Sequence, residues 1–236
     1  HRHTAMNQER WDVVDRWLRF LPAELSAGDL ELLILRGYSL ENRYRYGELL
    51  KLLEDIEKLI ATETSAGSNN TLQAELDPLL AVRHYFASDP EGALSLVRRA
   101  LQHLPAEHQS VRGFALVLYG FIQQMRGDWQ AGVTVLLREL ENLPGRGTTL
   151  HGRILIGLAF IHWMEADLEQ TAHYAHELLA LGKQYELPES VAFGQYFVGV
   201  SHYEMGDSGT AEEALLPLFA RPEGWDWDTD EVDESL

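Results

Sequence analysis

Cysteine is absent from this chain of 236 residues. Without it there can be no disulfide framework and no site that holds a metal through thiolates. The chain also has no run of about 18 apolar residues, the length that a membrane-spanning helix needs. Its N-terminal sequence, HRHTAMNQERW, is polar. The sequence therefore predicts neither a membrane span nor a secretory signal, and we expect a cytoplasmic protein.

Basic residues are scarce. The chain has 19 Lys and Arg against 37 Asp and Glu, which gives a formal net charge of -18. A surface with this sign repels phosphate backbones. We therefore expect that this chain does not bind DNA or RNA directly.

What the sequence does contain is a repeat of about 40 residues. The clearest copy, Glu107 to Pro144, predicts a helix over 109–126, a turn at Gly127-Asp128 and a helix over 129–142. Taking Gly120 as the anchor of this copy, small residues recur along the chain at intervals of 39 to 44 residues. These anchors are Gly37, Ala81, Gly120, Ala159 and Gly199. A fixed period of this length is typical of stacked helical hairpins.

The sequence therefore predicts an all-α fold, namely a tetratricopeptide-like solenoid of α-α hairpins that forms a right-handed superhelix. Five hairpins are expected, over 29–61, 71–104, 109–142, 148–185 and 188–220. A leading helix over 7–21 matches the second helix of a repeat whose first helix is missing, so we expect a fragment of a longer chain. We assign residues 1–221 to the repeat domain. Residues 222–236, with seven carboxylates and no basic residue, form an acidic tail that is either disordered or the start of a further repeat.

The repeat carries a resemblance to known families. A small residue late in the first helix, Gly-Asp at the turn, an aromatic residue after it and a closing proline resemble tetratricopeptide hairpins, although those units have about 34 residues. Four stretches between about residues 7 and 220 are similar to the helical-repeat region of the MalT-like family of large LuxR-type transcriptional activators. They are RWLRFLPAEL, LILRGYSLENRYRYGEL, HYFASDPEGALSLVRRAL and LYGFIQQMRGDWQAGV.

The resemblance implies a role in sensing. In that family the repeats form a superhelical sensor between an ATP-binding module and a helix-turn-helix domain, and binding of an inducer releases self-association. The present sequence contains no G-x-x-x-x-G-K-[ST] motif of an ATP-binding module. We therefore expect those neighbouring modules to lie outside it.

Catalytic and metal-binding patterns are weak. Gly37 and Gly199 each begin a G-x-S-x-G motif that lacks its second glycine, so we expect neither an enzyme nor a cofactor. Glu169, His173 and His176 share one helical face, but a solvated surface explains them better than a metal site. His84, His162 and His202 share one repeat position and would be roughly 10 Å apart on stacked helices. We interpret them as histidines satisfied within the helix packing and predict no metal site.

The candidate binding residues lie on the first helix of each hairpin, on the face that a hairpin solenoid normally turns inward. Aromatic residues recur there with a few polar groups, a combination typical of small-molecule and peptide sites. The alternative is that adjacent repeats bury this face. The candidates are Tyr85, Phe114, Phe121, Gln124, Arg153, Phe160, Trp163, Tyr196 and Tyr203.

Two functions fit these observations. The first is a sensor and oligomerisation domain of a LuxR-type transcriptional regulator, which binds a small inducer or a regulatory protein in its concave groove. The second is a general tetratricopeptide scaffold that grips an extended peptide or a helix. An acidic rim would favour basic partners for such a scaffold, and neither function involves a membrane.

Overall fold

A computed structural model describes residues 2–21, 28–62, 70–143 and 145–219. All the regular secondary structure in these ranges is helical, which confirms the all-α prediction. None of these helices is both long enough and apolar enough to cross a membrane. The helices are α1 (Arg2–Asn7), α2 (Trp11–Phe20), α3 (Leu30–Asn42), α4 (Tyr46–Thr62), α5 (Asn70–Phe86), α6 (Pro90–His103), α7 (Gln109–Met125), α8 (Trp129–Glu141), α9 (Thr149–Met164), α10 (Leu168–Tyr185), α11 (Pro188–Glu204) and α12 (Ser208–Phe219).

The five predicted pairs of helices are present as α3–α4, α5–α6, α7–α8, α9–α10 and α11–α12. The first helices of the pairs contact one another in chain order, from α3 to α11. Each second helix from α4 to α10 packs against its own first helix and the first helix of the next pair. Its apolar face is therefore buried between the two, as Leu49, Leu53 and Ile56 of α4 illustrate. The predicted acidic tail, 222–236, lies outside the described residues.

The prediction of one continuous leading helix over 7–21 was wrong. The chain forms two helices there, α1 and α2, separated by a turn in which Glu9 has a positive φ of 55°. The backbone N–H of Arg10 donates to the Ala5 carbonyl and closes this turn. The apolar stripe of α2 is buried at Trp11 and Val14. Long-range contacts hold this turn, because Glu9 within it accepts hydrogen bonds from Thr149, Glu189 and Ser190.

The turn of every hairpin has the same backbone conformation. The residue seven positions after each anchor has a positive φ between 56° and 84°, whether or not it is a glycine. In the last four hairpins an aspartate follows and caps the second helix by accepting a hydrogen bond from the N–H three residues later, as Asp89, Asp128, Asp167 and Asp207 do. The turn residues are Tyr44, Ser88, Gly127, Ala166 and Gly206.

The recurring histidines are satisfied by these same aspartates. His84 Nδ1 lies 2.8 Å from Asp89, and the equivalent His162–Asp167 and His202–Asp207 distances are both 3.2 Å. An ionised carboxylate only accepts, so Nδ1 carries the proton in each pair. At Nδ1 the prediction of satisfied histidines is therefore confirmed, with the partner in the turn of the same hairpin, whereas Nε2 of His202 is buried without a hydrogen-bond partner.

The anchor positions are places of close approach. A Cβ on Gly120 would lie 2.7 Å from Ile161 Cδ1, and one on Gly132 would lie 3.2 Å from the Gly120 backbone. These two glycines therefore allow α7 to pack closely against both α8 and α9. Gly120 and Gly132 thus mark points where neighbouring helices touch.

Candidate functional site

The N-terminal segment (residues 2–10) runs across the N-terminal ends of the first helices. Arg2 donates to the Glu31 carbonyl of α3, and the Asn7 side chain joins the start of α7 by donating to the Glu107 carbonyl and accepting from Ser110 N–H. Glu9 reaches α9 and α11. One short segment thus contacts helices from the first hairpin to the fifth.

Glu9 is buried and accepts four hydrogen bonds. Its donors are the Thr149 hydroxyl at 3.2 Å, the backbone N–H groups of Glu189 and Ser190 at 2.7 and 3.2 Å, and the Ser190 hydroxyl at 3.0 Å. The N-cap residue of α11, Leu187, provides no side-chain cap. Glu9 supplies that cap from the other end of the chain, and its negative charge suits the positive end of the helix dipole.

Glu9 is also part of a buried charge cluster, which consists of Glu9, Glu41, Arg153 and Glu189. Arg153 Nη2 is 2.8 Å from Glu189 Oε1, and Arg153 Nη1 is 4.0 Å from Glu41 Oε1. Burial raises the pKa of Glu189 to about 7 against the opposing effect of Arg153, while Glu9 and Glu41 raise it further. Burial also raises the pKa of Glu41. The cluster contains three carboxyl groups for one guanidinium, so it favours keeping one proton bound.

An aromatic patch of ten rings extends across the first helices. Phe160 is at its centre, with ring centroids 4.6 Å from Phe121, 5.7 Å from Trp163 and 5.9 Å from Phe197. The patch continues from Phe193 to Tyr44 at 6.4 Å. Its members are Tyr44, Tyr46, Tyr85, Phe86, Phe121, Phe160, Trp163, Phe193, Tyr196 and Phe197.

The patch is partly open to solvent. Phe197 is completely buried, whereas Tyr44 is 57% exposed, Phe86 52% and Tyr196 37%. At its edge the Gln124 side chain donates to Glu165 at 3.0 Å. The arrangement therefore combines exposed ring faces with an amide and a carboxylate that could bind the hydroxyl or amino groups of a ligand.

The structure brings five of the nine candidate residues together. Tyr85, Phe121, Phe160, Trp163 and Tyr196 all belong to the aromatic patch.

The other four candidates lie elsewhere. Gln124 is at the edge of the patch, and Phe114 is buried edge-to-face against Tyr38 at 6.0 Å. Arg153 belongs to the buried charge cluster, and Tyr203, 67% exposed, makes none of the ring contacts of the patch. Whether any of the nine binds a ligand stays a prediction.

Sequence reasoning missed part of the patch. Tyr44 and Tyr46 flank the turn of the first hairpin, which nothing in the repeat pattern places next to α11. A usable signal was present in the letters YRY at 44–46, because an exposed turn rarely needs two aromatic side chains.

A second constellation was also missed. His3, Glu75 and His108 have ligand atoms within 4.8 Å of one another, the one such group of three among the described His and acidic residues. Glu169, His173 and His176 do not form one. The two imidazole rings are stacked with centroids 3.6 Å apart. They line a cavity of about 510 Å³ together with Arg2, Glu31, Thr71, Leu72 and Glu75.

Comparison with known proteins finds similarity to the same group of regulators that the sequence stretches resemble. No protein-family model matches the chain, and no solved structure matches it. The HTH-type transcriptional regulator MalT of Yersinia enterocolitica is 30% identical over 128 residues, which is 54% of this chain and 14% of the relative. The MalT proteins of Yersinia pestis and Yersinia pseudotuberculosis are 27% identical, with the same shares. The chain is thus distantly homologous, over about half its length, to transcriptional regulators of which it spans only a small part.

Proposed function

We propose that this chain is the effector-sensing repeat region of a cytoplasmic LuxR-type transcriptional regulator and that it binds a small ring-containing effector on the aromatic patch. The proposal includes a tetratricopeptide-like right-handed superhelix with the first helices on its concave side. The recurring turns and the row of first helices support this arrangement. The similarity to MalT supports the regulatory role.

The observation that carries the proposal is the solvent-exposed side of the aromatic patch. Rings from five helices and one turn converge there, and several keep a third or more of their surface in water. Exposing large aromatic surface is unfavourable unless a partner covers it. Flat ring faces suit sugar rings and other ring-containing ligands, and Gln124 and Glu165 can orient polar groups at the edge.

The location of the patch suggests how binding would be transmitted. Tyr44, in the first hairpin, and Phe193, in the fifth, are separated by most of the chain but lie 6.4 Å apart. A ligand that touches both sides would favour conformations in which the two hairpins stay close. Such a ligand shifts a conformational equilibrium by its difference in affinity for the two states, and self-association would report that shift.

A small effector is a better fit than a long peptide. The N-terminal segment already crosses the start of α3, α7, α9 and α11. An extended peptide laid along the first helices would compete with it. Tyr85, Phe86, Phe121, Phe160 and Trp163 of the aromatic patch lie near the C-terminal ends of α5, α7 and α9, at the opposite ends from that segment.

The proposal is tested by isothermal titration of the chain against a panel of sugars, nucleosides and amino acids. We expect at least one compound to bind and Trp163→Ala to weaken its binding about 5- to 150-fold, since stacking on an aromatic ring contributes about 1–3 kcal/mol. Phe20→Ala is the matched control, because Phe20 is an exposed aromatic residue of α2 outside the patch. Sedimentation with and without the bound compound would then test for a change in self-association.

Two results would count against it. If Trp163→Ala bound every hit as tightly as the parent, the patch would not be the site. If no compound bound but basic peptides did, the general scaffold would replace the sensor.

A further inference from the structure

Three side chains that are far apart in sequence meet between α1, α5 and the start of α7. His3 Nε2 lies 3.2 Å from Glu75 Oε1, and His108 Nδ1 lies 3.0 Å from the same oxygen. Glu75 is 1% exposed and His108 is 9% exposed. Two imidazole nitrogens and one carboxylate oxygen therefore converge, with the side chain of His3 22% exposed.

These short distances do not represent hydrogen bonds. Glu75 Oε1 and His108 Nδ1 are both buried with no hydrogen-bond partner, because their mutual geometry does not satisfy one. Leaving buried polar atoms unpaired costs about 1–3 kcal/mol each. The contacts of His3 and His108 with this oxygen are ion pairs only while an imidazole is protonated, whereas a metal ion bound between them would satisfy both atoms without a proton.

The distances match those between ligands of one metal ion. Bonds of about 2.0–2.2 Å from a tetrahedral metal to nitrogen and oxygen place neighbouring ligand atoms about 3.3 Å apart. Both nitrogen-to-oxygen distances at Glu75 are close to that value. The two imidazole rings are nearly parallel, with an interplanar angle of 11°, so the more exposed His3 ring has to turn for both nitrogen lone pairs to point at one ion. Two imidazoles and one carboxylate suit Zn²⁺ and similar transition metals, whereas Mg²⁺ and Ca²⁺ prefer oxygen alone.

The surroundings fit a bound cation. The other oxygen of Glu75, Oε2, lies 2.9 Å from Arg2 Nη2, which fixes the carboxylate with Oε1 toward the two imidazoles. The cavity of about 510 Å³ opens beside the three ligand atoms. It leaves room for a fourth ligand, such as water or a small anion.

We propose that His3, Glu75 and His108 form a binding site for a divalent transition metal ion, with Zn²⁺ as the best match. The ion would tie α1 to α5 and α7. Because the same N-terminal segment carries Asn7 and Glu9, which cap α7 and α11, the metal would hold both caps in place. This site is separate from the aromatic patch and does not depend on the proposed effector.

The test is titration of the whole chain with ZnCl₂ after treatment with a chelator. We expect one equivalent to bind and the melting temperature to rise, because a ligand that binds the folded state stabilises it. Titration with Co²⁺ should give the visible absorption of nitrogen and oxygen ligation. Loss of a single ligand in His3→Gln or His108→Gln should weaken Zn²⁺ binding at least about tenfold.

His173→Gln provides the control for adventitious binding, because His173 is exposed beside Glu177. It should bind Zn²⁺ like the parent. Circular dichroism of each variant establishes that it is folded, and the two ligand histidines belong to different elements, so one variant remains informative if the other fails to fold. The proposal is overturned if the parent takes up no single equivalent, or if a folded His3→Gln or His108→Gln variant binds as tightly as the parent.

Discussion

The carboxylate of Glu9 accepts a hydrogen bond of 2.7 Å from the backbone N–H of Glu189, a residue 180 positions later in the chain. This contact links the N-terminal segment to the start of α11, which has no side-chain cap of its own. It also places two carboxyl groups of the buried charge cluster beside each other. The stability of the fifth hairpin therefore depends on residues that precede the first.

Removal of the Glu9 carboxylate should destabilise the protein. Glu9→Ala leaves two backbone N–H groups and two hydroxyls without their acceptor, and we expect a loss of about 1–3 kcal/mol in the free energy of unfolding. Urea denaturation measures this. Glu177→Ala, an exposed carboxylate on α10, should change the value by less than about 0.5 kcal/mol. Equal effects of the two substitutions would mean that the Glu9 cap contributes no stability.

Stability should fall with rising pH because of Glu189. Its pKa is raised by burial from 4.5 to about 7, so the folded state binds this proton more tightly than the unfolded state. The resulting stability is present below about pH 4.5 and is lost as the pH rises through 7. The difference between these two pKa values corresponds to a contribution on the order of 3 kcal/mol to the free energy of unfolding.

Glu189→Gln is the variant that isolates this effect, since the amide oxygen can still accept from Arg153. The free energy of unfolding of Glu189→Gln minus that of the parent should be larger at pH 8 than at pH 5, by about 1–3 kcal/mol. Guanidinium unfolding at several pH values gives the two curves, and Glu177→Gln should run parallel to the parent. A Glu189→Gln curve that also runs parallel to the parent would show that the carboxyl group does not titrate in this window.

The packing of α10 against α11 should not tolerate a side chain at position 194. A Cβ on Gly194 would lie 2.7 Å from Leu179 N and 2.8 Å from its Cα, which are backbone atoms that cannot move without separating the helices. Gly194→Ala should therefore cost about 1–3 kcal/mol.

Gly47→Ala is the matched comparison, because a Cβ there meets nothing within 4 Å. It should be neutral or stabilising by up to about 1 kcal/mol. Thermal denaturation of both variants tests this prediction. A harmless Gly194→Ala would mean that α10 and α11 pack less closely than described.

Substitutions at two equivalent turn positions, Ala166 and Gly127, should change the stability of the protein in opposite directions. Ala166 has a φ of 58° and Gly127 a φ of 78°, a region that costs a residue with a Cβ about 1–2 kcal/mol. Ala166→Gly should stabilise the protein slightly, by about 0.5 kcal/mol, and Gly127→Ala should destabilise it by about 1 kcal/mol. Melting temperatures that move in the same direction for both variants would contradict a common turn conformation.

Much of the local architecture was predictable from the sequence. The period of the anchors placed all five hairpins, and aspartates after the turns marked four of them. Predicted ends are within one to two residues of those observed, as at Asp29, which caps α3. Within the aromatic patch, Phe121, Phe160 and Trp163 were predictable too, because they recur at fixed offsets from their anchors.

The sequence by itself therefore determined which residues form helices, where each hairpin turns and which face of each first helix carries aromatic rings, because helical periodicity and capping act over a few residues. The tertiary structure alone decided that Tyr44 meets Phe193, that Glu9 caps α11 and that His3 and His108 converge on Glu75. Those meetings depend on the angle at which each hairpin packs on the next. That angle results from the combined shapes of many side chains, and small differences accumulate over five hairpins, so no spacing in the sequence specifies them.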